Sequence, residues 1–150
     1  MASTALTPDL EVEIRQLVLF RLAAGVHAVD LLDVREIIPL RRATRLPRTP
    51  PYVMGLINVR GSIVTVIDLA RRLQGTPVGA GGAIVLVEHD GRTIGVAVDE
   101  VLEVRRVRPD EIAPPGPEHA GGGVIAGLGH SGGSIVIVLD IHAIIRHVLS

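Results

Sequence analysis

Three groups of residues in this 150-residue chain have types and spacing that could support chemistry. The first is Gly129-His130-Ser131-Gly132-Gly133, which matches the G-x-S-x-G form in which a serine is presented as a nucleophile. Such an elbow needs a strand before the serine and a helix after it, because the sharp strand-to-helix turn is what exposes the hydroxyl. Here the β-branched run Ile135-Val136-Ile137-Val138 follows and predicts a strand, so a small hydrolase using Ser131 lacks the helix it requires. The second group is six histidines with no H-E-x-x-H or similar ligand pattern. His142 and His147 stand five apart, about 140° round a helix, which suits solvated or packed side chains rather than metal ligands. The third is the Gly-rich stretches at 79–82 and 121–123, which lack the Lys-Ser/Thr of a phosphate loop.

A repeat organises the chain. Gly55, Leu56, Gly61, Ser62, Ile63, Val64, Val66 and Asp68 recur 72 positions later (61 to 133) as Gly127, Leu128, Gly133, Ser134, Ile135, Val136, Val138 and Asp140. Within it, Asn58 and Arg60 become His130 and Gly132. The shared residues read as structural and the differing pair as candidates for function. Each aspartate closes an apolar run ahead of a short helical segment, so helix capping accounts for both Asp68 and Asp140.

Composition narrows the function classes. Hydrophobic residues make up 47% of the chain, yet Phe20 and Tyr52 are its only aromatics, so the core must be aliphatic and base stacking has nothing to use. The net charge of −1 leaves no electrostatic footprint for nucleic acid. Charge is uneven along the chain: residues 1–75 carry 10 Arg against 7 acids (+3) and residues 76–150 carry 5 against 9 (−4), an asymmetry able to orient a charged partner. There is no cysteine, which fits a reducing compartment, with the cytoplasm as the expectation. Residues 120–139 carry no formal charge, but seven glycines make them a poor membrane helix and a better Gly-rich loop and hairpin, so no membrane insertion is expected. No cofactor is implied.

The elements follow from apolar runs and turn residues. Residues 1–16 read as a flexible tail. Residues 17–23 and 26–31 form a first hairpin about Ala24-Gly25, and residues 33–38 form a helical turn or a strand. Residues 40–51, with Arg41, Arg42, Arg45, Arg48 and three prolines, form a solvated loop. Two strands then meet at Gly61-Ser62. The second, 63–67, is apolar on both alternating faces, so protein is expected on both sides. A Gly/Pro-rich link at 74–82 leads to a hairpin about His89-Asp90-Gly91, a bent strand at 101–108, a loop at 113–123, the second copy of the repeat, and a helix at 141–149. Two small barrels related by duplication are expected, each only marginally stable alone.

Val34-Arg35-Glu36-Ile37, Leu46-Pro47, Tyr52-Val53-Met54-Gly55, Asn58-Val59-Arg60-Gly61, Val66-Ile67-Asp68-Leu69 and Val98-Asp99-Glu100-Val101, in this order and spacing, resemble the signature pattern of the CheW-like chemotaxis coupling proteins over about residues 17–149. The resemblance implies a mainly β fold of two intertwined five-stranded SH3-type β-barrels with short helices and a C-terminal helix. It divides the chain into a tail (1–16) and one domain (17–150), with a first barrel at 17–78, a second at 83–139 and the helix at 141–149. It implies a non-catalytic adaptor that couples the cytoplasmic signalling domain of transmembrane chemoreceptors to the regulatory domain of the histidine kinase CheA, and recruitment from the cytoplasm to receptor arrays. An adaptor of the same fold in a chemosensory-like pathway with a non-motility output is the alternative. Carried over by motif, Val34, Glu36, Gly55, Asn58, Arg60 and Ile63 lie at a receptor-facing groove, while kinase-contact residues stay unassigned. A bidentate Glu36–Arg60 bridge would fix the angle of two groove segments. Thr65 departs from the pattern, standing where the family carries proline before Val66-Ile67-Asp68-Leu69, which restores a backbone donor.

Overall fold

The computed structural model describes residues 14–117 and 123–149. In chain order its elements are β1 (Arg15–Leu22), β2 (Gly25–Asp30), β3 (Val34–Pro39), β4 (Val53–Val59), β5 (Ser62–Asp68), α1 (Leu69–Gln74), β6 (Ala83–His89), β7 (Arg92–Val98), β8 (Glu100–Val107), β9 (Ile125–Ser131), β10 (Ser134–Leu139) and α2 (Ile141–Leu149). Single 3-10 turns at Leu31–Asp33 and Pro109–Glu111 precede β3 and follow β8. The expected tail is shorter than 16 residues, since Arg15 and Gln16 already pair with Val107 and Arg106. Of the expected loop at 113–123, residues 118–122 lie outside the described residues.

The strands form two five-stranded sheets, ordered β8-β1-β2-β10-β9 and β3-β6-β7-β5-β4. The mainly β fold with five strands per unit is thus borne out. The sheets do not follow the division into 17–78 and 83–139, because each takes its central hairpin from the other repeat. Hairpin β1–β2 sits between β8 and β10, and hairpin β6–β7 sits between β3 and β5. The exchanged hairpins are joined to their sheets by two parallel pairings, β2 with β10 and β7 with β5.

Alternation along the strands explains why both faces are apolar. In β1, Leu17 and Leu19 pack with Ala28, Val136 and Val138 inside the first sheet, while Val18, Phe20 and Leu22 turn into a core shared by both sheets. In β6, Ile84 and Leu86 join the core inside the second sheet and Val85 and Val87 join the shared one. Helix α2 seals the shared core with Ile141, Ile144, Ile145 and Val148, the i, i+3, i+4, i+7 stripe of an amphipathic helix. Strand β5 departs from expectation. Its inner residues Val64 and Val66 are buried, but on the other face only Ile67 reaches the shared core, and Ile63 is 63% exposed.

Duplication is written into irregularities as well as residues. The β4–β5 register slips between Val53 and Gly55, and the β10–β9 register slips at the equivalent place, beside Ile125 and Gly127. Thr44 bridges Leu56 as Ala113 bridges Leu128. Asp68 Oδ1 accepts from the Arg71 amide at 3.0 Å, and Asp140 Oδ1 accepts from the Ala143 amide at 3.0 Å, so both aspartates cap the helices that follow them. A Cβ on Gly55, whose φ is +135°, would stand 2.1 Å from the Thr44 carbonyl oxygen, so the loop crosses β4 there only because no side chain exists.

Asp99, between β7 and β8, holds the exchanged β1–β2 hairpin in place. Its carboxylate accepts from the Ala23 amide and from the Gly79 amide, each at 2.6 Å. Burial pushes the Asp99 carboxyl up, but these two amides and the charge of Arg21 outweigh it and hold the carboxyl below its ordinary range. A lowered carboxyl contributes stability above the unfolded-state value, near 4, and loses it as pH falls through the folded-state value.

Gly55→Ala is expected to destabilise the fold by about 2 kcal/mol or more, from the steric clash and the left-handed backbone together, as read by chemical denaturation. Asp99→Asn should lower the melting temperature at pH 7, with the gap to wild type closing as pH drops below about 4. A gap that widens in acid would contradict the role given to Asp99.

Candidate functional site

The turn between β4 and β5 is built on Arg60-Gly61, with φ values of +49° and +90°. It lies one residue before the position expected from the sequence, and Ser62 is already in β5. Both central residues at positive φ is the pattern of a type I′ hairpin turn, whose twist matches the flanking strands. The equivalent turn of the second repeat uses Gly132 and Gly133 at +55° and +86°. Glycine takes this conformation without a steric penalty and arginine does not, so the first repeat keeps Arg60 at a position where the fold alone favours glycine.

The Arg60 side chain explains what that position gains. Its guanidinium reaches β3, on the far edge of the same sheet, and makes a bidentate pair with Glu36: Nη1 donates to Oε2 at 3.2 Å and Nη2 donates to Oε1. The hydrogen bond to Arg60, followed by the positive charges of Arg60, Arg35 and Arg41, holds the Glu36 carboxyl below its ordinary range, and the same bond raises the Arg60 guanidinium. Asn58 Oδ1 accepts from the Gly61 amide at 2.8 Å and ties the turn to its own strand. The Asn58 carbonyl accepts from Arg41 at 3.0 Å, which draws the chain after β3 against β4. Asn58 and Ile63 are direct partners across β4 and β5, both exposed.

Four of the six sequence-derived residues therefore meet at one corner. Glu36 and Arg60 line a shallow cavity of about 310 Å³ with Arg35, Ser62 and Thr93, and Asn58 and Ile63 form the ledge beside it. The other two are less exposed. Val34 is half-buried against the shared core, and Gly55 is buried under Thr44. The second repeat has no such corner: Glu103 pairs with Arg105 on its own strand, and Gly132 carries no side chain. Sequence reasoning passed over Arg41, because a bond from a side chain to a backbone carbonyl leaves no signature in residue types.

The remaining candidates fall out of the site. Ser131 ends β9 and is followed by the Gly132-Gly133 turn and β10, so it sits on a hairpin rather than on the strand-to-helix elbow a nucleophile requires. Two histidines distant in sequence do meet. His89 Nδ1 and His142 Nδ1 are 2.8 Å apart, and His142 Nε2 contacts Asp33 Oδ1 at 2.9 Å, which ties α2 to the end of β6 and to the turn before β3. No group of three or more metal-binding side chains is assembled among the described residues. Among these residues, no helix is long and apolar enough to cross a membrane.

Interleaved five-stranded sheets with one braced, exposed corner define a mainly β module. A family model described as the CheW-like domain matches residues 16–149. The probable chemotaxis protein CheW of Rhizobium etli is 37% identical over 106 residues, covering 69% of this chain and 68% of that protein. The chemotaxis protein CheW of Treponema pallidum is 31% identical over 136 residues, 85% of this chain and 79% of that one. The crystal structure of the scaffolding protein TtCheW from Thermoanaerobacter tengcongensis superposes with a TM-score of 0.77 at 30% identity, covering 85% of this chain and 90% of that chain. The chain belongs to the CheW-like domain family.

Proposed function

We propose that this chain is a non-catalytic chemotaxis coupling adaptor, and that the corner formed by Glu36, Asn58, Arg60 and Ile63 is where it meets the cytoplasmic signalling domain of a chemoreceptor, leaving other surfaces to the histidine kinase CheA. Family membership supports the adaptor role. The observation that carries the site is the contrast between repeats at one turn: a left-handed Arg60 bonded across the sheet to Glu36 in the first, and Gly132 in the second. Positive φ is tolerated at other non-glycine turn residues, Ala23 and Asp90 among them, so it is the pairing of the Arg60 side chain with Glu36 that sets this turn apart. The pair is exposed, with 71% of the Arg60 side chain open to solvent, so it orients the ledge more than it stabilises the fold. Exposed Ile63 supplies the apolar contact beside it, and the charged pair supplies the orientation. In this reading the adaptor is recruited to membrane-associated arrays through its partners.

Arg60→Gly separates the roles of fold and site. Because Gly132 occupies the equivalent turn, the variant should melt no lower than wild type while its co-sedimentation with receptor signalling domain drops sharply. Unfolding of the variant would assign Arg60 to the fold, and undiminished receptor binding would remove it from the interface.

A further inference from the structure

A second concavity beside the second sheet adjoins the Glu36–Arg60 corner through Arg41, which bonds the Asn58 carbonyl, but has no lining residue in common with the cavity there. It is an open surface hollow of about 680 Å³ lined by four arginines, Arg41, Arg42, Arg45 and Arg71. Three come from the loop after β3 and one from α1. Leu40, Pro51, Met54 and Pro77 supply apolar wall between them. The single carboxylate in the lining, Asp68, is committed elsewhere: Oδ1 accepts from the Arg71 amide and Oδ2 from the Val78 amide, both at 3.0 Å. The lining thus carries four guanidiniums against one carboxylate, a formal charge of +3.

None of these arginines makes an ion pair among the described residues. Arg41 and Arg45 are positioned by one bond each, to the carbonyls of Asn58 and Val53, which leaves the rest of each fork free to donate. The fold does not demand this charge. Aligned on the equivalent bridges of Thr44 and Ala113, the second repeat places Asp110 and Glu111 where the first has Arg41 and Arg42, and it has Ala143 where the first has Arg71. The same frame therefore carries opposite charge in its two copies.

We infer that this cavity is a binding site for a small organic polyphosphate, with its phosphates held by the arginines and its organic body laid against Met54 and the prolines. Guanidinium forks match phosphate oxygens bidentately, and a concave wall of one sign concentrates the field on an anion. A di- or triphosphate delivers its charge within a few ångströms. An extended acidic peptide spreads four carboxylates on one face over about 20 Å, which fits the cavity less well.

Isothermal titration calorimetry on the full chain with pyrophosphate and ATP tests the site, using Arg42→Gln, Arg71→Gln and, as a control for overall charge, Arg146→Gln on α2. Pyrophosphate and ATP should bind, each cavity variant should weaken binding about tenfold, the loss of one charge-assisted interaction, and Arg146→Gln should bind as wild type does. Arg42 lies in an exposed loop, so its variant keeps the test readable if Arg71→Gln fails to fold. No binding at millimolar ligand, equal weakening by Arg146→Gln, or tighter binding of a hexaglutamate peptide than of pyrophosphate would each overturn the inference.

Discussion

Two parallel strand pairings, β2 with β10 and β7 with β5, are the contacts on which the rest of the molecule depends. Each inserts a hairpin from one repeat into the sheet of the other. A unit of about 60 residues buries too little surface to be secure alone, and the exchange removes that weakness by making each repeat complete its neighbour's sheet. It also explains the aliphatic character of the strands. With one face inside its own sheet and the other turned to the shared core, Val18, Phe20, Val85, Val87, Ile94 and Val96 join one cluster with residues of both sheets and of α2. Asp99 and the His89–His142–Asp33 contacts then fasten hairpins and helix across the seam with polar bonds.

On this symmetric frame, the repeats differ at a few places only. The capping aspartates, the slipped registers and the crowded glycines Gly55 and Gly127 occur in both copies and serve architecture. Arg60 with Glu36, and the arginines around Met54, occur in one only. The first repeat thereby differs at two places, the Glu36–Arg60 brace and a cationic hollow, while the second keeps glycine and acidic residues at the corresponding positions and shares the exposed isoleucine as Ile135.

Much of this was legible in the sequence because it is local. The G-S-I-V-x-V runs ending in aspartate carry their strands and caps in neighbouring residues, and Asp90-Gly91 marks its hairpin outright. The strand exchange was implied only by the family resemblance. Residue types alone did not reveal it, because β5 presents the same alternating pattern whichever hairpin lies beside it, and partner choice is decided by tertiary packing. The same limit hid the meeting of His89 with His142, 53 residues apart, and led the two-faced apolar pattern of 63–67 to suggest cover over Ile63, which only the resemblance placed at a groove. The Glu36–Arg60 pair was legible for a different reason: complementary charge, and a contrast between two copies that otherwise agree.

The central claim is that this chain joins two partners without chemistry of its own. Co-sedimentation of receptor signalling-domain assemblies with CheA, with and without the chain, tests it most directly. The account predicts that the kinase enters the pellet in proportion to the chain added. Kinase recovery independent of the chain, or a chain that binds neither partner, would contradict it.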